Sequence, residues 1–271
     1  MDGFLVEPEN IQMLAQNIAK MLNKWGLDYR MLSWRTGTSP NSPLKIRLHE
    51  SGDREVQYYP WKPDYIPEKV QEGLHLIAED VRVHRPRVRL ASGVRLSDVP
   101  LVNVFFTTNG VPSLRVLNPG TDLLHDERVI RQMLPLTDLL VLNLQELGFL
   151  YESLDVGDIE EIFRLGPKEV LVTEDVNGAT LYIRNSLYLH QEAFQVHAVD
   201  PTGAGDSFLS HFLSARIKGE PSRDALRFAA AAAAAQTTMH GGSAVPPADM
   251  IDHLLREGTL HQRVETNAEA Q

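Results

Sequence analysis

The sequence contains no cysteine. That removes disulfides, thiolate metal sites and cysteine nucleophiles together, and it fits a reducing compartment. It also lacks any run approaching the ~18 consecutive apolar residues needed to span a bilayer. The opening Met1-Asp2-Gly3-Phe4-Leu5-Val6-Glu7-Pro8-Glu9 is acidic, with too short an apolar stretch for a secretory signal. A cytoplasmic location with no membrane partner is the expectation. Positive charge is in deficit: 26 Lys and Arg face 36 Asp and Glu, a formal net charge of −10 with histidine neutral. The molecule as a whole therefore repels polyanions, and nucleic acid is disfavoured as a partner. A local cluster of backbone amides can still hold a small phosphate inside such an acidic protein. No G-x-x-x-x-G-K-[ST] occurs, which excludes a P-loop. The ten histidines form no H-E-x-x-H or other ligand spacing, so they are read as structural or surface residues. Trp25, Trp34 and Trp61 form no stacking array for bases.

What the chain does contain is an ordinary folding composition, 43% hydrophobic and 23% charged over 271 residues, enough for one large domain or two small ones. Ile11, Leu14, Ile18, Met21, Leu22 and Trp25 recur at spacings of three and four, one face of an amphipathic helix closed by Gly26. Alternation at Leu44, Ile46 and Leu48, a turn at Ser51-Gly52-Asp53, and the return through Val56, Tyr58 and Tyr59 predict a hairpin. Pro60, Pro63 and Pro67 mark a loop leading to a helix over 68–79. Beyond residue 88, short apolar runs at 88–91, 114–117, 139–142 and 170–173 alternate with helix-length stretches, the pattern of a mostly parallel sheet in an α/β fold. An extended pair at 181–183 and 194–199, helices over 204–218 and 222–239, and a frayed polar tail after Gly258 complete the reading. The basic cluster from Arg82 to Arg89 is read as a solvated loop rather than a nucleic-acid patch. Seven consecutive alanines, 229–235, are read as a packing surface on a helix.

The most informative segment is Asp200-Pro201-Thr202-Gly203-Ala204-Gly205-Asp206-Ser207-Phe208, following a strand and opening a helix. Small residues at Gly203, Ala204 and Gly205 let a ligand approach the backbone, and the free N–H groups of the first helical turn point at whatever sits there. The helix dipole adds partial positive charge, so the site suits a phosphate or a phosphoryl group in transfer. Asp206 either stabilises that turn or accepts a proton from an alcohol attacking phosphorus. A dinucleotide-binding reading of the same glycines is weak, because Phe208 stands where G-x-G-x-x-G needs its third glycine. Asn143 and Glu146 have the spacing of a capping box.

These segments resemble the ribokinase, or PfkB, family of carbohydrate kinases. Asp200 to Asp206 is similar to the family's C-terminal signature, Asn118-Pro119 to its Asn-Pro segment, Asn143-Leu144-Gln145-Glu146 to its Asn-x-x-Glu motif, and Val172-Thr173 to Gly178-Ala179 to its nucleotide loop. Arg227-Phe228-Ala229 with the alanine run, then Gly241 to Pro246, resembles its closing helix and loop. The resemblance implies a three-layer α/β/α fold with a mostly parallel sheet, a single domain over 1–258, a lid or edge hairpin at 44–59, and a polar tail at 259–271. It implies transfer of a phosphoryl group from ATP to a hydroxyl of a sugar or nucleoside. Asp206 would be the base, and the amides of Gly203, Ala204 and Gly205 the anion hole. Thr173, Asp175 and Gly178, with Gly203 and Gly205, would line the nucleotide. Asn143 and Glu146 would order Mg2+ through water, and Asp200 and Thr202, with the 238–243 loop, would hold a monovalent cation such as K+. Relatives often pair through a sheet-like lid, which makes a homodimer the corresponding expectation.

Three departures accompany the resemblance. Asp175 stands where the family usually has glycine two residues after the threonine, and a carboxylate ~5 Å from a phosphate costs roughly 3 kcal/mol at an effective dielectric of 20. His211 replaces a small residue in the helix that follows the signature. No strand or Gly-Gly-x-x-x-Asn segment precedes the first predicted helix. A non-catalytic relative binding nucleotide or a partner chain is therefore the alternative expectation.

Overall fold

The computed structural model describes residues 44–48, 54–58, 67–94, 96–241 and 245–261. They divide into two compact units, one up to Gln71 and one from Glu72 onward. The helix predicted for residues 10–25 lies outside the described residues. In the first unit, β1 (Leu44–Leu48) and β2 (Arg54–Tyr58) form the expected antiparallel hairpin, with Leu44 opposite Tyr58 and Ile46 opposite Val56.

Helix α1 (Pro67–His84) begins on a proline, whose missing N–H costs nothing at a helix start. It runs past the predicted end at 79 and absorbs Arg82 and His84 into its last turn, where positive charge suits the dipole. The four apolar runs then become β3 (Val88–Ser92), β4 (Leu114–Asn118), β5 (Leu139–Asn143) and β6 (Glu169–Thr173), all parallel. They are joined through α2 (Val99–Thr107), through α3 (Thr121–Leu124) and α4 (Glu127–Met133), and through α5 (Leu144–Leu154) and α6 (Ile159–Arg164). Antiparallel β7 (Ala179–Ile183) and β8 (Leu189–Gln191) extend the sheet, whose order is β3-β4-β5-β6-β7-β8.

Because each parallel strand adds on the same side of the last, right-handed crossovers put α2 to α6 on one face. Ala91, Leu117, Leu140, Leu142, Val170 and Val172 point into that layer. The alternate residues Val116, Leu139, Val141, Leu171, Ala179 and Leu181 point the other way, into α7 (Ala204–Lys218), α8 (Ser222–Thr237) and α9 (Ala248–Glu257). The result is three layers, helices on both faces of a mostly parallel sheet. The alanine run packs as expected: Ala229, Ala231, Ala232 and Ala235 are fully buried against α7 and the sheet.

Three expectations are corrected. Arg89 is not in a solvated loop. It lies on β3 with 2% of its surface exposed, its Nη1 donating to the carbonyls of Phe105, Phe106 and Thr108 at 2.8, 3.2 and 3.1 Å. Its Nη2 reaches the Val111 carbonyl at 2.5 Å and its Nε reaches Ser113 Oγ at 3.1 Å. The guanidinium thus collects the carbonyls that end α2, which no helical N–H can satisfy. Burial and the neighbouring Arg115 lower its pKa, with Asp138 opposing. Second, the partner of β7 is β8 at 189–191, because the chain reverses at Asn185, in the left-handed region at φ 60°. The 194–199 segment leaves the sheet, and only Phe194 makes an isolated bridge, to Leu260. Third, the chain just after Gly258 is held: Gln195 N–H donates to the Thr259 carbonyl at 2.7 Å and His261 N–H to the Ala193 carbonyl at 2.8 Å.

Candidate functional site

Residues 200–206 form a tight turn clamped to the end of α8. Asp200 is 5% exposed; its Oδ1 accepts the Thr202 N–H and its Oδ2 the Gly241 N–H, each at 2.9 Å. The N–H groups of Val199 and Asp200 both reach the Thr237 carbonyl, at 2.7 and 2.9 Å. Burial pushes the Asp200 carboxyl up, but the hydrogen bonds from Thr202 and Gly241, with His240 nearby, outweigh it and hold the group below its ordinary value. Gly203 then takes φ 83°, left-handed, as the N-cap of α7, a conformation that costs glycine nothing.

From that cap the amides divide. The Ala204 N–H turns back to the Pro201 carbonyl at 3.2 Å. Those of Gly203, Gly205 and Asp206 make no backbone hydrogen bond among the described residues. Gly205 and Asp206 are exposed, whereas Ser207 and Phe208 immediately after them are buried. The turn is thus anchored on one side and open on the other, with unsatisfied donors and a carboxylate at its mouth. His211, about two turns into the helix, bonds the Ser207 carbonyl through Nδ1 at 2.7 Å and meets Phe228 of α8 edge-on, with 5.4 Å between centroids. It fills the space between the two helices.

The open face lies at the C-terminal edge of the parallel strands. Arg216, near the end of α7, bonds Glu169 at the start of β6 at 3.2 Å, so the helix runs antiparallel to that strand. From Asp206 to Arg216 the helix rises ~15 Å, and β6 from Glu169 to Thr173 spans ~13 Å, which brings Gly203–Asp206 to the Thr173 end. Asn143 is the register partner of Thr173 on β5. The structure therefore brings the signature turn, Asn143 and Thr173 to one sheet edge, where parallel α/β folds bind ligands.

Asn143 and Glu146 make the capping box that their spacing predicts. Asn143 Oδ1 accepts the Glu146 N–H at 2.8 Å, and Glu146 Oε2 accepts the Asn143 N–H at 2.9 Å. Each thus spends one oxygen on the helix; Glu146 keeps Oε1 and Asn143 its amide nitrogen. Burial raises the Glu146 pKa, opposed by the hydrogen bond from Asn143. Among the described residues no three His, Asp or Glu side chains converge as a metal cage. A hard cation here would keep several waters and take its other oxygens from a phosphate ligand.

Beyond β6 the chain turns through Glu174, Asp175, Val176 and Asn177. Asp175 is exposed and sits at φ 54°, left-handed, so the departure from glycine keeps the glycine-like backbone. Gly178 has a structural cause of its own: at φ 95°, a Cβ there would lie 2.0 Å from the Gln191 carbonyl oxygen and 2.8 Å from the Ala193 nitrogen. Its glycine is dictated by the strand it passes. Sequence reasoning missed Glu174, Thr180 and His190, which meet behind this loop. The one available signal was that Thr180 and His190 are polar at positions that a β7–β8 ladder buries.

The matches to known proteins agree with this geometry. Residues 12–249 match the model of the pfkB family carbohydrate kinase. A 2-dehydro-3-deoxygalactonokinase of Haloferax volcanii is 40% identical over 89 residues, covering 33% of this chain and 28% of that protein. An ATP-dependent ribose-1-phosphate kinase of Halopiger xanaduensis is 26% identical over 216 residues, 78% of this chain and 71% of that one. In fold, Burkholderia thailandensis nucleoside kinase in complex with inosine superposes with a TM-score of 0.69 at 19% identity, over 89% of this chain and 77% of the other. No helix among the described residues is long and apolar enough to cross a membrane. The chain belongs to the pfkB family of carbohydrate kinases, with the ribokinase-like α/β fold.

Proposed function

We propose that this chain transfers the γ-phosphoryl group of ATP to a hydroxyl group of a sugar or nucleoside. The observation that carries the reading is the start of α7. Unsatisfied amides and an exposed Asp206 stand together at the sheet edge that also holds Asn143 and Thr173. Phosphoryl transfer asks the protein mainly for positioning and charge stabilisation, and these groups supply both.

Asp206 takes the proton from the attacking hydroxyl, which requires a carboxylate free of competing partners. The amides of Gly203, Gly205 and Asp206, aligned with the positive end of the α7 dipole, stabilise the negative charge that grows on the migrating group. Thr173 and the 175–178 turn border the phosphates. Glu146 Oε1 and Asn143 would hold a magnesium ion through its water, and the ion would supply divalent charge beside the phosphates. When bound, Mg-ATP supplies the phosphoryl group and the divalent charge that neutralises it. Asp200 acts by holding the turn to α8, so its visible work is structural; a monovalent cation beside it is not needed for the reading.

The test is ADP release with a panel of sugars and nucleosides in the presence of Mg-ATP. Turnover with at least one acceptor, abolished in Asp206→Ala, is the expected result. Binding of Mg-ATP without turnover on any acceptor would instead identify a nucleotide-binding, non-catalytic member.

A further inference from the structure

An acidic pair, Glu174-Asp175, stands at the loop assigned above to the phosphates, in a chain already carrying a net charge of −10. The two carboxylates are disposed very differently. Asp175 is exposed. The Glu174 side chain is only 12% exposed, and its Oε1 accepts the hydroxyl hydrogen bond of Thr180. Thr180, 2% exposed, lies on β7 directly opposite His190 of β8, whose Nδ1 is 2.8 Å from the same hydroxyl oxygen. A hydroxyl has one proton, and here it goes to Glu174, so Nδ1 must carry a hydrogen and donate. The His190 side chain is itself 10% exposed, with Nδ1 4.0 Å from Glu174 Oε1, and its Nε2 is buried without a partner among the described residues. The main chain completes the arrangement, the Glu174 N–H closing on the Gly178 carbonyl at 2.7 Å.

A buried hydrogen-bonded chain with one unsatisfied nitrogen is costly to maintain, and what it achieves is the direction of one negative charge. We propose that Thr180 and His190 are positioning residues that hold the Glu174 carboxylate back against the sheet, away from nucleotide phosphates at the 173–178 turn. This rests on the reading of that turn as the phosphate site. Released from Thr180, the carboxylate is free to swing toward the loop mouth and join Asp175 in repelling the ligand.

The experiment is equilibrium titration of the full chain with Mg-ATP, at low salt and at ~0.5 M salt, where the screening length is a few ångströms. Thr180→Val is expected to weaken Mg-ATP binding roughly tenfold at low salt and less at high salt. Adding Glu174→Gln to Thr180→Val should restore affinity to within about twofold of wild type, because a loop damaged merely in structure is not repaired by removing a charge. An unchanged affinity in Thr180→Val, or a loss that the second substitution leaves in place, overturns the inference. Should Thr180→Val fail to fold, Glu174→Gln alone decides. It should bind Mg-ATP at least as tightly as wild type, since the amide oxygen still accepts from Thr180, and a clear weakening overturns the inference. Wild-type protein that binds no Mg-ATP overturns the phosphate-site reading and the inference with it. Wild type that binds beside a Thr180→Val that binds equally overturns the inference alone.

Discussion

The two ends of the parallel strands are built on opposite principles. At the N-terminal end nearly every charge is spent. Asp138 takes Arg115 at 2.8 Å and Lys168 at 3.0 Å; Glu169 takes Arg216 at 3.2 Å; Arg184 donates to the carbonyls of Phe163, Gly166 and Pro167. At the C-terminal end Asp206 and the amides beside it have no such partners among the described residues. Paired charges fix a fold, whereas a carboxylate left exposed at a helix start is available to a ligand. The same sheet thus carries paired charges at one end and open donors with an exposed carboxylate at the other, and on the proposed function substitutions at the two ends should separate stability from activity.

The largest effect tests the chemical end. Asp206→Ala should lower kcat by a factor of about 10³, in the range of a lost general base, while thermal unfolding without ligand stays within about 0.5 kcal/mol of wild type, as for an exposed site. Equal losses of activity and stability would break the comparison. Next, Arg89→Leu strands the carbonyls of Phe105, Phe106, Thr108 and Val111, and should cost roughly 3 kcal/mol in urea unfolding, since each buried group without a partner is penalised.

A pH titration addresses the same end. Burial would raise the Asp138 pKa, but hydrogen bonds from Arg115 and Lys168 overcome it and hold the value at about 2, against an ordinary 3.8. A depressed carboxylate contributes stability that is complete above its unfolded pKa and lost as pH falls through its folded one. About 2 kcal/mol should therefore disappear between roughly pH 4 and pH 2, and Asp138→Asn should flatten that part of the profile. The smallest effect belongs to the group with two duties. Glu146→Gln keeps an oxygen for the Asn143 N–H, so stability should change by under about 1 kcal/mol, while the Mg2+ concentration giving half-maximal activity should rise.

The sequence announced the chemical end far better than the structural one. Asp200 to Asp206 was legible because glycine, alanine and aspartate at a turn that opens a helix have few other uses, although the strand expected before it is irregular chain; β3 to β6 were legible because short apolar runs recur between helix-length stretches. Arg89 was illegible: within Arg85-Pro86-Arg87-Val88-Arg89 a charge reads as surface, and only the end of a helix some sixteen residues on in sequence makes it buried and satisfied. β8 was missed for a similar reason, since Leu189-His190-Gln191 is polar and acquires its strand only from the register with β7. Asn143 and Glu146 read first as a cap, and as a site only through the family resemblance; the geometry confirms the cap while leaving one glutamate oxygen unspent. Gly178 illustrates the reverse hazard, a motif position whose glycine the neighbouring strand demands.

The alanine run of α8 packs against α7, the helix that opens on the signature turn. Methyl side chains have no rotamers to lose, so the alanine face of α8 adds no side-chain entropy cost to its contact with α7, and the cost falls on bulkier residues such as Phe208 and Phe212. Nor do the methyl groups offer any alternative packing. A bulky, adaptable surface could let α7 settle in several nearby positions, each aiming its first turn differently. An alanine face admits close approach of the two backbones and fewer arrangements than a bulky one, which favours fixed directions for the amides at the start of α7 before any ligand arrives.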